Sequence, residues 1–452
     1  MTIGDKLRNS DRAALWHPFT QHALWDEEDF PVIVSGEGVY LFDADGRRFL
    51  DGVSSLWVNV HGHRRPEIDA AIVAQLGRVA HSTFLGLSHP PGIELAERLL
   101  AVAPADLTRV FFSDDGSTAM EAALKMALSA ASRRDPRRTR FVRFVNAYHG
   151  DTIGAVSAGG IDLFHQAYQP LLFPTIAVDA PYCYRCHLTG GREPACTDGS
   201  GCLAGLEAAL DEHAGEVAAV VIEPRVQGAA GMLVQPPGFV RGVRELCDRH
   251  GALMIADEVA TGFGRTGAMF ACGGEGVTPD LMAVGKGLSG GYLPIAATLA
   301  REDIFNEFLG VHHQDRTFFH GHSYTANPLA CAAALASLDL FERDRTLENA
   351  RRRAEQAAAG LKRFRGLPAV GDLRQAGLMI GIELVRDRET KELFPAEAMI
   401  GRKAALAARA RGVIVRPLGD VVVLMPPLCI GAEELAELLD AAYGAIAEAC
   451  PP

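Results

Sequence analysis

Residues 280–291 read Asp280-Leu281-Met282-Ala283-Val284-Gly285-Lys286-Gly287-Leu288-Ser289-Gly290-Gly291, an apolar strand that ends in a lysine flanked by glycines. An ammonium group is costly to remove from water, so a lysine at the end of a buried strand is usually paired, deprotonated or used covalently. Lys286 is therefore the first candidate for a residue that carries chemistry.

A second apolar strand precedes the strand of Lys286 and ends in two acidic residues. It reads Ala252-Leu253-Met254-Ile255-Ala256-Asp257-Glu258. If the two strands are neighbours in a parallel sheet, they bring Asp257 and Lys286 to the same edge. Pyridoxal phosphate needs these two groups, an amine for a Schiff base and a carboxylate that keeps the pyridine nitrogen protonated. The pair therefore favours pyridoxal-phosphate chemistry.

Length and charge limit the class of protein. The 452 residues are too many for one simple core and predict a large domain with a smaller one, or two comparable domains. The 44 basic and 56 acidic residues give a net charge of -12, which argues against non-specific binding to nucleic acid or to an anionic membrane. No apolar stretch approaches the roughly 18 to 20 residues of a membrane-spanning helix, and the start lacks an apolar signal core. We therefore expect a cytoplasmic protein whose partners are small molecules.

Apolar strands alternate with helices through the middle of the chain. This alternation is typical of an α/β fold with a mostly parallel sheet covered on both faces, and we assign residues 62–335 to that large domain. Residues 336–452 predict a smaller α+β domain, and residues 1–61 contain a hairpin expected to join it. The predicted elements include helices over 118–131, 237–250, 340–363 and 396–411 and a strand over 412–416.

The turn Ser113-Asp114-Asp115-Gly116-Ser117 lies between a predicted strand and a predicted helix. Its glycine and the free N–H groups of the helix start would suit a phosphate, but an ordinary helix cap explains the residues equally well. In that helix, Glu121 and Lys125 have the spacing of an i, i+4 pair. Neither a P-loop nor a dinucleotide-binding fingerprint opens a helix after a strand, which argues against nucleotide hydrolysis and hydride transfer.

Two further strand ends carry polar residues. Tyr148 lies in a loop after one strand, where its ring could stack on a flat cofactor, although such a residue is more often a half-buried loop tyrosine. Glu223 ends another apolar strand. Open α/β sheets bind ligands where strand ends meet, so we expect these side chains to share one site.

Four of the nine cysteines are clustered in a loop rich in glycine, proline and threonine. They are Cys183, Cys186, Cys196 and Cys202. The first pair has the spacing of a zinc ligand pair, whereas the second is separated by five residues, so a surface loop without a metal is the simpler interpretation. The other five cysteines are isolated, and we expect no disulfide framework.

Longer motifs identify a family. Residues 255–267 read Ile255-Ala256-Asp257-Glu258-Val259-Ala260-Thr261-Gly262-Phe263-Gly264-Arg265-Thr266-Gly267, and Gly285-Lys286-Gly287 follows. This combination resembles the signature of the class III, fold-type I aminotransferases that use pyridoxal phosphate. The resemblance runs from about Leu15 to Pro427. Shorter motifs at residues 15–21, 51–57, 61–63, 148–152 and 320–328 are similar to the biotin-pathway branch of that family.

The resemblance implies a seven-stranded, mostly parallel sheet between helices, a smaller α+β domain, and a homodimer with shared active sites. It implies that Lys286 forms the Schiff base and shuttles a proton, that Asp257 pairs with the pyridine nitrogen, and that Tyr148 stacks on the ring. The implied phosphate ligands are Gly116 and Ser117, joined across the dimer interface by His322 and Ser323. The implied substrate residues are Phe19, Leu56, Trp57, Tyr148, Gly321 and Arg416, of which Arg416 suits a carboxylate.

The implied reaction converts 8-amino-7-oxononanoate to 7,8-diaminononanoate, with S-adenosylmethionine expected as donor because most of the branch is thought to use it. Phe19 stands where some members carry tyrosine, and Leu56-Trp57 replaces a tryptophan pair, so lysine stays open as the donor. A broader ω-amine:pyruvate aminotransferase is the alternative of the same chemistry. A non-catalytic α/β binding protein is the alternative of another class.

Overall fold

The computed structural model describes residues 2–26, 28–186 and 199–451. The strands are β1 (Ile33–Glu37), β2 (Tyr40–Asp43), β3 (Arg48–Asp51), β4 (Leu107–Ser113), β5 (Arg140–Phe144), β6 (Ile176–Val178), β7 (Val217–Ile222), β8 (Val226–Gln227), β9 (Leu233–Val234), β10 (Leu253–Asp257), β11 (Leu281–Val284), β12 (Ala296–Arg301), β13 (Val370–Ala376), β14 (Met379–Leu384), β15 (Val413–Ile414), β16 (Arg416–Leu418) and β17 (Val421–Leu424).

The helices are α1 (Ile3–Ala14), α2 (His22–Trp25), α3 (Ser54–Trp57), α4 (Pro66–Leu76), α5 (Pro90–Val102), α6 (Gly116–Arg134), α7 (Ile153–Ala158), α8 (Asp162–His165), α9 (Ala204–Glu212), α10 (Phe239–His250), α11 (Ala271–Gly274), α12 (Glu302–Asn306), α13 (Pro328–Arg343), α14 (Thr346–Leu361), α15 (Ile400–Ala410) and α16 (Ala432–Ala449). Within the described ranges, none of them is both long enough and apolar enough to span a bilayer.

Seven strands form the central sheet, in the order β4-β12-β11-β10-β7-β5-β6. The run from β11 to β6 is parallel, and β12 alone is antiparallel to its neighbours. The predicted α/β fold with a mostly parallel seven-stranded sheet is therefore confirmed. In the β10–β11 register, Asp257 stands opposite Ala283, so the ends of the two strands lie at one edge of the sheet.

Helix α6 covers one face of this sheet with small side chains. Its buried side is mostly alanine, which lets the helix lie close to β10, β11 and β12. The expected pair between Glu121 and Lys125 does not form. Glu121 instead accepts hydrogen bonds from the backbone N–H groups of Gly154 (2.6 Å) and Ala155 (3.2 Å), while Lys125 Nζ lies 3.2 Å from His320 Nδ1. Tertiary contacts thus override the local pairing rule.

Two smaller sheets connect the beginning of the chain to its last third. One is antiparallel, in the order β13-β14-β17-β16, and the other has the order β1-β2-β3-β15, with β15 parallel to β3. The predicted single strand over 412–416 is wrong. The chain leaves one sheet after Ile414 and enters the other at Arg416. The run of apolar residues in the sequence does not indicate that its two ends pair with different sheets.

Two predicted helices are also shorter than expected. The helix predicted over 340–363 is broken between α13 and α14, where Arg345 has φ +47°. The one predicted over 396–411 begins at Ile400, after Met399 with φ +45°. Both residues have the left-handed conformation, which interrupts a helix and is uncommon for residues other than glycine. By contrast, α6 and α10 confirm the helices predicted over 118–131 and 237–250.

Candidate active site

The ends of several strands and the start of α6 open onto a cavity of about 400 Å³. The sequence-predicted residues that line it are Lys286, Asp257, Tyr148, Gly116, Ser117 and Trp57. Glu223 and His149 line the same cavity. The structure therefore brings together most of the residues selected at the strand ends, as expected for the edge of an open α/β sheet.

Lys286 follows β11 in a left-handed conformation, with φ +39°. A non-glycine residue held there is strained, and such residues concentrate at functional sites. Its Nζ lies 5.4 Å from the centroid of the Trp57 ring. Burial lowers the pKa of the Lys286 ammonium, an effect that the carboxylates of Asp257 and Glu223 oppose. A lowered pKa increases the fraction of neutral, nucleophilic amine at neutral pH.

Asp257 is buried at the end of β10 and held from two sides. Its Oδ1 accepts from the Val259 N–H at 3.0 Å, and its Oδ2 lies 2.8 Å from His149 Nδ1. The sequence indicated no role for His149. Its signals were its position directly after Tyr148 and its place in the motif at residues 148–152, but nothing in a linear sequence shows that this ring would face an aspartate 108 residues away.

Tyr148 is anchored through its backbone and its hydroxyl. Its N–H donates to Glu223 Oε2 at 3.0 Å, and its hydroxyl donates to Asp151 Oδ2 at 2.7 Å. Burial, together with the bond to Asp151, raises the pKa of the Tyr148 phenol above its usual value. Tyr148 therefore keeps its proton over the physiological range and presents a neutral ring to the cavity.

The turn before α6 acts as a helix cap and also faces the cavity, so the structure is compatible with both interpretations of its sequence, a helix cap and a phosphate site. Asp115 caps the helix, because its carboxylate accepts from the Thr118 N–H at 2.9 Å and its own N–H donates to the Thr118 hydroxyl at 3.0 Å. The same helix end faces the cavity through Gly116 and Ser117. A Cβ at Gly116 would lie 2.6 Å from Val259 Cγ1, so only glycine allows this close approach.

The predicted substrate residues lie at different depths. Trp57 is buried, Leu56 is 46% exposed, and Phe19 is 57% exposed. The Phe19 ring contacts Phe164 edge-on at 5.3 Å, and Phe164 contacts Tyr148 in the same way at 6.3 Å. An aromatic path thus leads from the cavity towards the surface.

Arg416 is the first residue of β16 and is half-buried. Among the residues that the structure describes, its guanidinium has no hydrogen-bond or ion-pair partner. Burial lowers the pKa of Arg416, with Tyr148 opposing that change. A desolvated guanidinium without a carboxylate is available to an anionic ligand.

Gly321, His322 and Ser323 do not line the cavity of their own chain. Gly321 and Ser323 are exposed, and His322 Nδ1 lies 3.2 Å from Asp114 Oδ2, beside the start of α6. The sequence predicted that His322 and Ser323 act in the site of a second subunit, whereas it predicted Gly321 as a substrate residue, and Gly321 does not lie in the cavity of its own chain.

The cysteine loop remains partly outside the described residues. Cys183 lies in a short 3₁₀ turn that ends before Cys186, and Cys202 lies in another. Cys196 falls in the segment that is not described. In the described parts of the chain, no three His, Cys, Asp or Glu side chains are grouped as metal ligands. The expectation of a cysteine loop without a metal stays a prediction.

A family model for "Aminotransferase class-III" matches residues 23–446. The chain belongs to the class III aminotransferases. It is 58% identical, over 98% of its length and 81% of the relative, to the adenosylmethionine-8-amino-7-oxononanoate aminotransferase of Nitratidesulfovibrio vulgaris. Class III aminotransferases depend on pyridoxal phosphate, so this chain is an enzyme with that cofactor. The alternative of a non-catalytic binding protein is thereby set aside.

Two solved structures share the fold over nearly the whole chain. One is the adenosylmethionine-8-amino-7-oxononanoate aminotransferase of Methanocaldococcus jannaschii, with a TM-score of 0.93 and 42% identity, covering 98% of this chain and 99% of that one. The other is an (S)-enantioselective ω-transaminase of Thermomicrobium roseum, with a TM-score of 0.93, 36% identity and 99% coverage of each chain. Both support the fold-type I assignment of the class III family.

The cavity fits pyridoxal phosphate in the chemistry of its donors. It holds an amine (Lys286), a buried carboxylate (Asp257), an aromatic ring (Tyr148) and the N-terminus of a 19-residue helix. The helix end offers unpaired N–H groups and a partial positive charge, which suit a phosphate. Gly150 lies against the start of α6, where a side chain would not fit, because a Cβ at this position would lie 2.1 Å from Ser117 Oγ.

Glu223 gives a pH-dependent test of the cavity's electrostatics. Burial raises the pKa of its carboxyl from 4.5 to about 7. The folded protein therefore binds this proton more tightly than the unfolded chain, so the free energy of unfolding falls as the pH rises from about 4.5 to about 7. The full difference is roughly 3 kcal/mol. We expect Glu223→Gln to gain stability relative to the parent protein over this interval, as measured by urea unfolding of the cofactor-free protein.

The control is Glu355→Gln, at an exposed position, for which we expect no such trend. The glutamine loses one hydrogen bond to Tyr148 or Gly228, so a constant offset is also expected. Only the slope with pH tests the charge. A Glu223→Gln difference that is constant from pH 4.5 to 7 would contradict the raised pKa.

Proposed function

We propose that this enzyme transfers an amino group to 8-amino-7-oxononanoate and so forms 7,8-diaminononanoate in biotin biosynthesis. The observation that carries the proposal is the convergence of Lys286 and Asp257 on one cavity, in a chain 58% identical to a relative with that named activity. A cytoplasmic location stays a prediction.

Pyridoxal phosphate, when bound, withdraws electrons from the substrate carbon that carries the amine. Lys286 would supply the base, because its lowered pKa leaves Nζ free to take a proton from that carbon and deliver it to the cofactor carbon on the other side of the nitrogen. Asp257 would hold its negative charge beside the pyridine nitrogen, oriented by Val259 and His149. Each residue thus contributes a charge or proton at a defined atom.

Further residues in the cavity and around it would orient the cofactor and the substrate. Gly116 and Ser117, at the start of α6, would receive the phosphate, and the Tyr148 ring would stack on the pyridine. Arg416 would pair with the substrate carboxylate, since its guanidinium is otherwise without a partner among the described residues. Phe19, Leu56 and Trp57 would contact the chain of the substrate.

We also propose a homodimer with shared sites. Gly321, His322 and Ser323 lie outside their own cavity, in a segment whose neighbours Phe319 and Tyr324 are 79% and 64% exposed. Large exposed aromatic side chains on one segment are typical of a surface that a second copy covers. In such a dimer, His322 and Ser323 of one subunit would complete the phosphate site of the other.

Lys286→Ala should reduce turnover by at least about 10⁴-fold, because covalent attachment and proton transfer both need Nζ. Consumption of 8-amino-7-oxononanoate measures the turnover. Borohydride treatment followed by peptide mass analysis should find the cofactor fixed to Lys286 in the parent protein and on no peptide of the variant. Lys362→Ala, at an exposed position, is the control. Normal turnover by Lys286→Ala would refute the assignment.

The shared site can be tested by subunit mixing. Lys286→Ala and Ser323→Asp should each be inactive, the second because its carboxylate repels the phosphate. Co-expression in equal amounts should restore about a quarter of the parent activity, because half of the dimers then contain one intact site. Sedimentation should give twice the chain mass of 48.3 kDa. Mixtures that stay inactive although mixed dimers form would show that Ser323 does not act across the interface.

The donor and the breadth of substrate require a direct comparison. With 8-amino-7-oxononanoate as acceptor, we expect S-adenosylmethionine to support faster turnover than lysine. With pyruvate as acceptor and simple amines as donors, kcat/KM should be at least about 100-fold lower. Faster turnover with lysine would assign the chain to the lysine-using branch. Equal rates with pyruvate would favour the ω-amine:pyruvate aminotransferase, to which the similarity with the ω-transaminase structure also points.

A further inference from the structure

The segment that carries Trp57 has an unusual backbone. Ser54, Ser55 and Trp57 have φ values of +52°, +60° and +69°, although none of them is glycine. Left-handed conformations are unfavourable for such residues, and several within four positions persist only where surrounding contacts impose them. We call residues 54–57, which are the short element α3, the strained turn, because their backbone is not that of a regular helix. Its conformation therefore requires a specific set of side chains to hold it.

Asp51 holds the strained turn from the end of β3. The Asp51 side chain is fully buried, and its Oδ1 accepts from the Ser55 N–H at 2.8 Å. Its Oδ2 accepts from the Ser55 hydroxyl at 2.8 Å and lies 3.0 Å from His63 Nε2. One carboxylate thus binds both the backbone and the side chain of Ser55.

His63 orients this carboxylate, and its own tautomer follows from its neighbour. The Asn59 Oδ1 accepts from the Gly62 N–H at 2.7 Å, which turns the Asn59 amide NH₂ towards His63 Nδ1 at 3.1 Å. Because Nδ1 accepts that bond, the ring proton is on Nε2 and is donated to Asp51. Ser55, Asp51, His63 and Asn59 therefore form one continuous chain of hydrogen bonds with matched donors and acceptors.

The strained turn determines where the Trp57 ring lies. The ring packs on one side against a buried apolar cluster that includes Val226, Met379 and Met425. It lines the cavity on the other side, where Lys286 Nζ lies 5.4 Å from its centroid. A relaxation of the turn to ordinary φ values would turn the ring away from this position.

We propose that Asp51 and His63 are positioning residues, which hold the strained turn and thereby fix Trp57 and Leu56 against the substrate. Neither side chain lines the cavity. The proposal rests on the proposed function only in taking Trp57 as a substrate contact. The position of the indole is measurable without substrate, so the two proposals can fail separately.

Asp51→Asn is the main test. Its single amide oxygen cannot accept both from the Ser55 N–H, which binds Oδ1, and from His63, which binds Oδ2, so the turn should relax. In a Trp16→Phe, Trp25→Phe background, Trp57 is the only tryptophan, so the tryptophan fluorescence comes from Trp57 alone. We expect acrylamide to quench its emission several-fold more strongly in Asp51→Asn than in the parent protein. In the holoenzyme, the KM for 8-amino-7-oxononanoate should rise about 10-fold while kcat changes by less than about 3-fold.

Asp43→Asn is the matched control. Asp43 is also buried in the same sheet and also accepts from a turn, through the Arg47 N–H at 2.8 Å and Arg47 Nε at 2.7 Å. Like Asp51 it does not line the cavity, but unlike Asp51 it has no hydrogen bond to the strained turn. We expect it to lower stability without changing Trp57 quenching or KM. Equal quenching of Trp57 in Asp43→Asn and Asp51→Asn would overturn the proposal.

A second pair of variants keeps the test decisive if Asp51→Asn does not fold. His63→Leu removes the donor to Asp51, whereas His63→Gln keeps an N–H that can reach it. We expect increased Trp57 quenching in His63→Leu and substantial recovery in His63→Gln. Parent-like quenching in His63→Leu would also overturn the proposal. If quenching changes as expected but the protein does not act on the keto acid, the positioning inference stands and the proposed function fails.

Discussion

The Arg265 guanidinium is buried with only 1% of the residue exposed, and it donates four hydrogen bonds without a carboxylate. Its acceptors are the Ser54 hydroxyl and the backbone carbonyls of Trp57, Asn59 and Pro426, at 2.8 to 3.2 Å. Burial lowers the pKa of Arg265 to about 10. Each charge-assisted bond of this type contributes roughly 1.5 to 3 kcal/mol, and together they offset the loss of hydration.

This arginine connects three parts of the chain that are distant in sequence. It stands eight residues after Asp257, in the loop that follows β10, and it binds the strained turn near the beginning of the chain and the segment after β17 near its end. Gly377 allows this loop to lie against β13 and β14, because a Cβ there would be 2.3 Å from the Arg265 carbonyl oxygen. The position of the cavity wall relative to Asp257 therefore depends on this buried cation as well as on Asp51.

The sequence predicted the elements that follow from local pattern. Apolar strands that end in Asp257, Glu223 and Lys286 indicated a parallel sheet with a ligand site at its edge, and the structure brings these residues to one cavity. The contact between His149 and Asp257 could not be predicted, because its partners are joined only by the arrangement of β5 and β10 around β7. The pattern of apolar residues in a sequence indicates which side of a helix or strand is buried. It does not indicate which other helix or strand packs against that side.

The same limit explains the errors in the smaller sheets and helices. Residues 412–416 form one apolar run, but their hydrogen bonds go to two different sheets. Arg345 breaks a helical pattern that continues on both sides, because its φ is positive, and the sequence carries no glycine or proline there that would signal the break. Strand β12 was not predicted, since its alanine-rich sequence resembles a helix as much as a strand. Domain boundaries and the roles of individual site residues remain predictions.

The change of sheet after Ile414 has a mechanical consequence. Ile414 pairs with Asp51 in the short parallel ladder between β15 and β3, so Arg416 and Trp57 extend from the two sides of one backbone junction. A displacement of that junction moves both side chains together. An enzyme that receives two different substrates in one cavity would thus shift Arg416 and the Trp57 wall through a single movement, while Lys286 and Asp257 keep their places in the cavity.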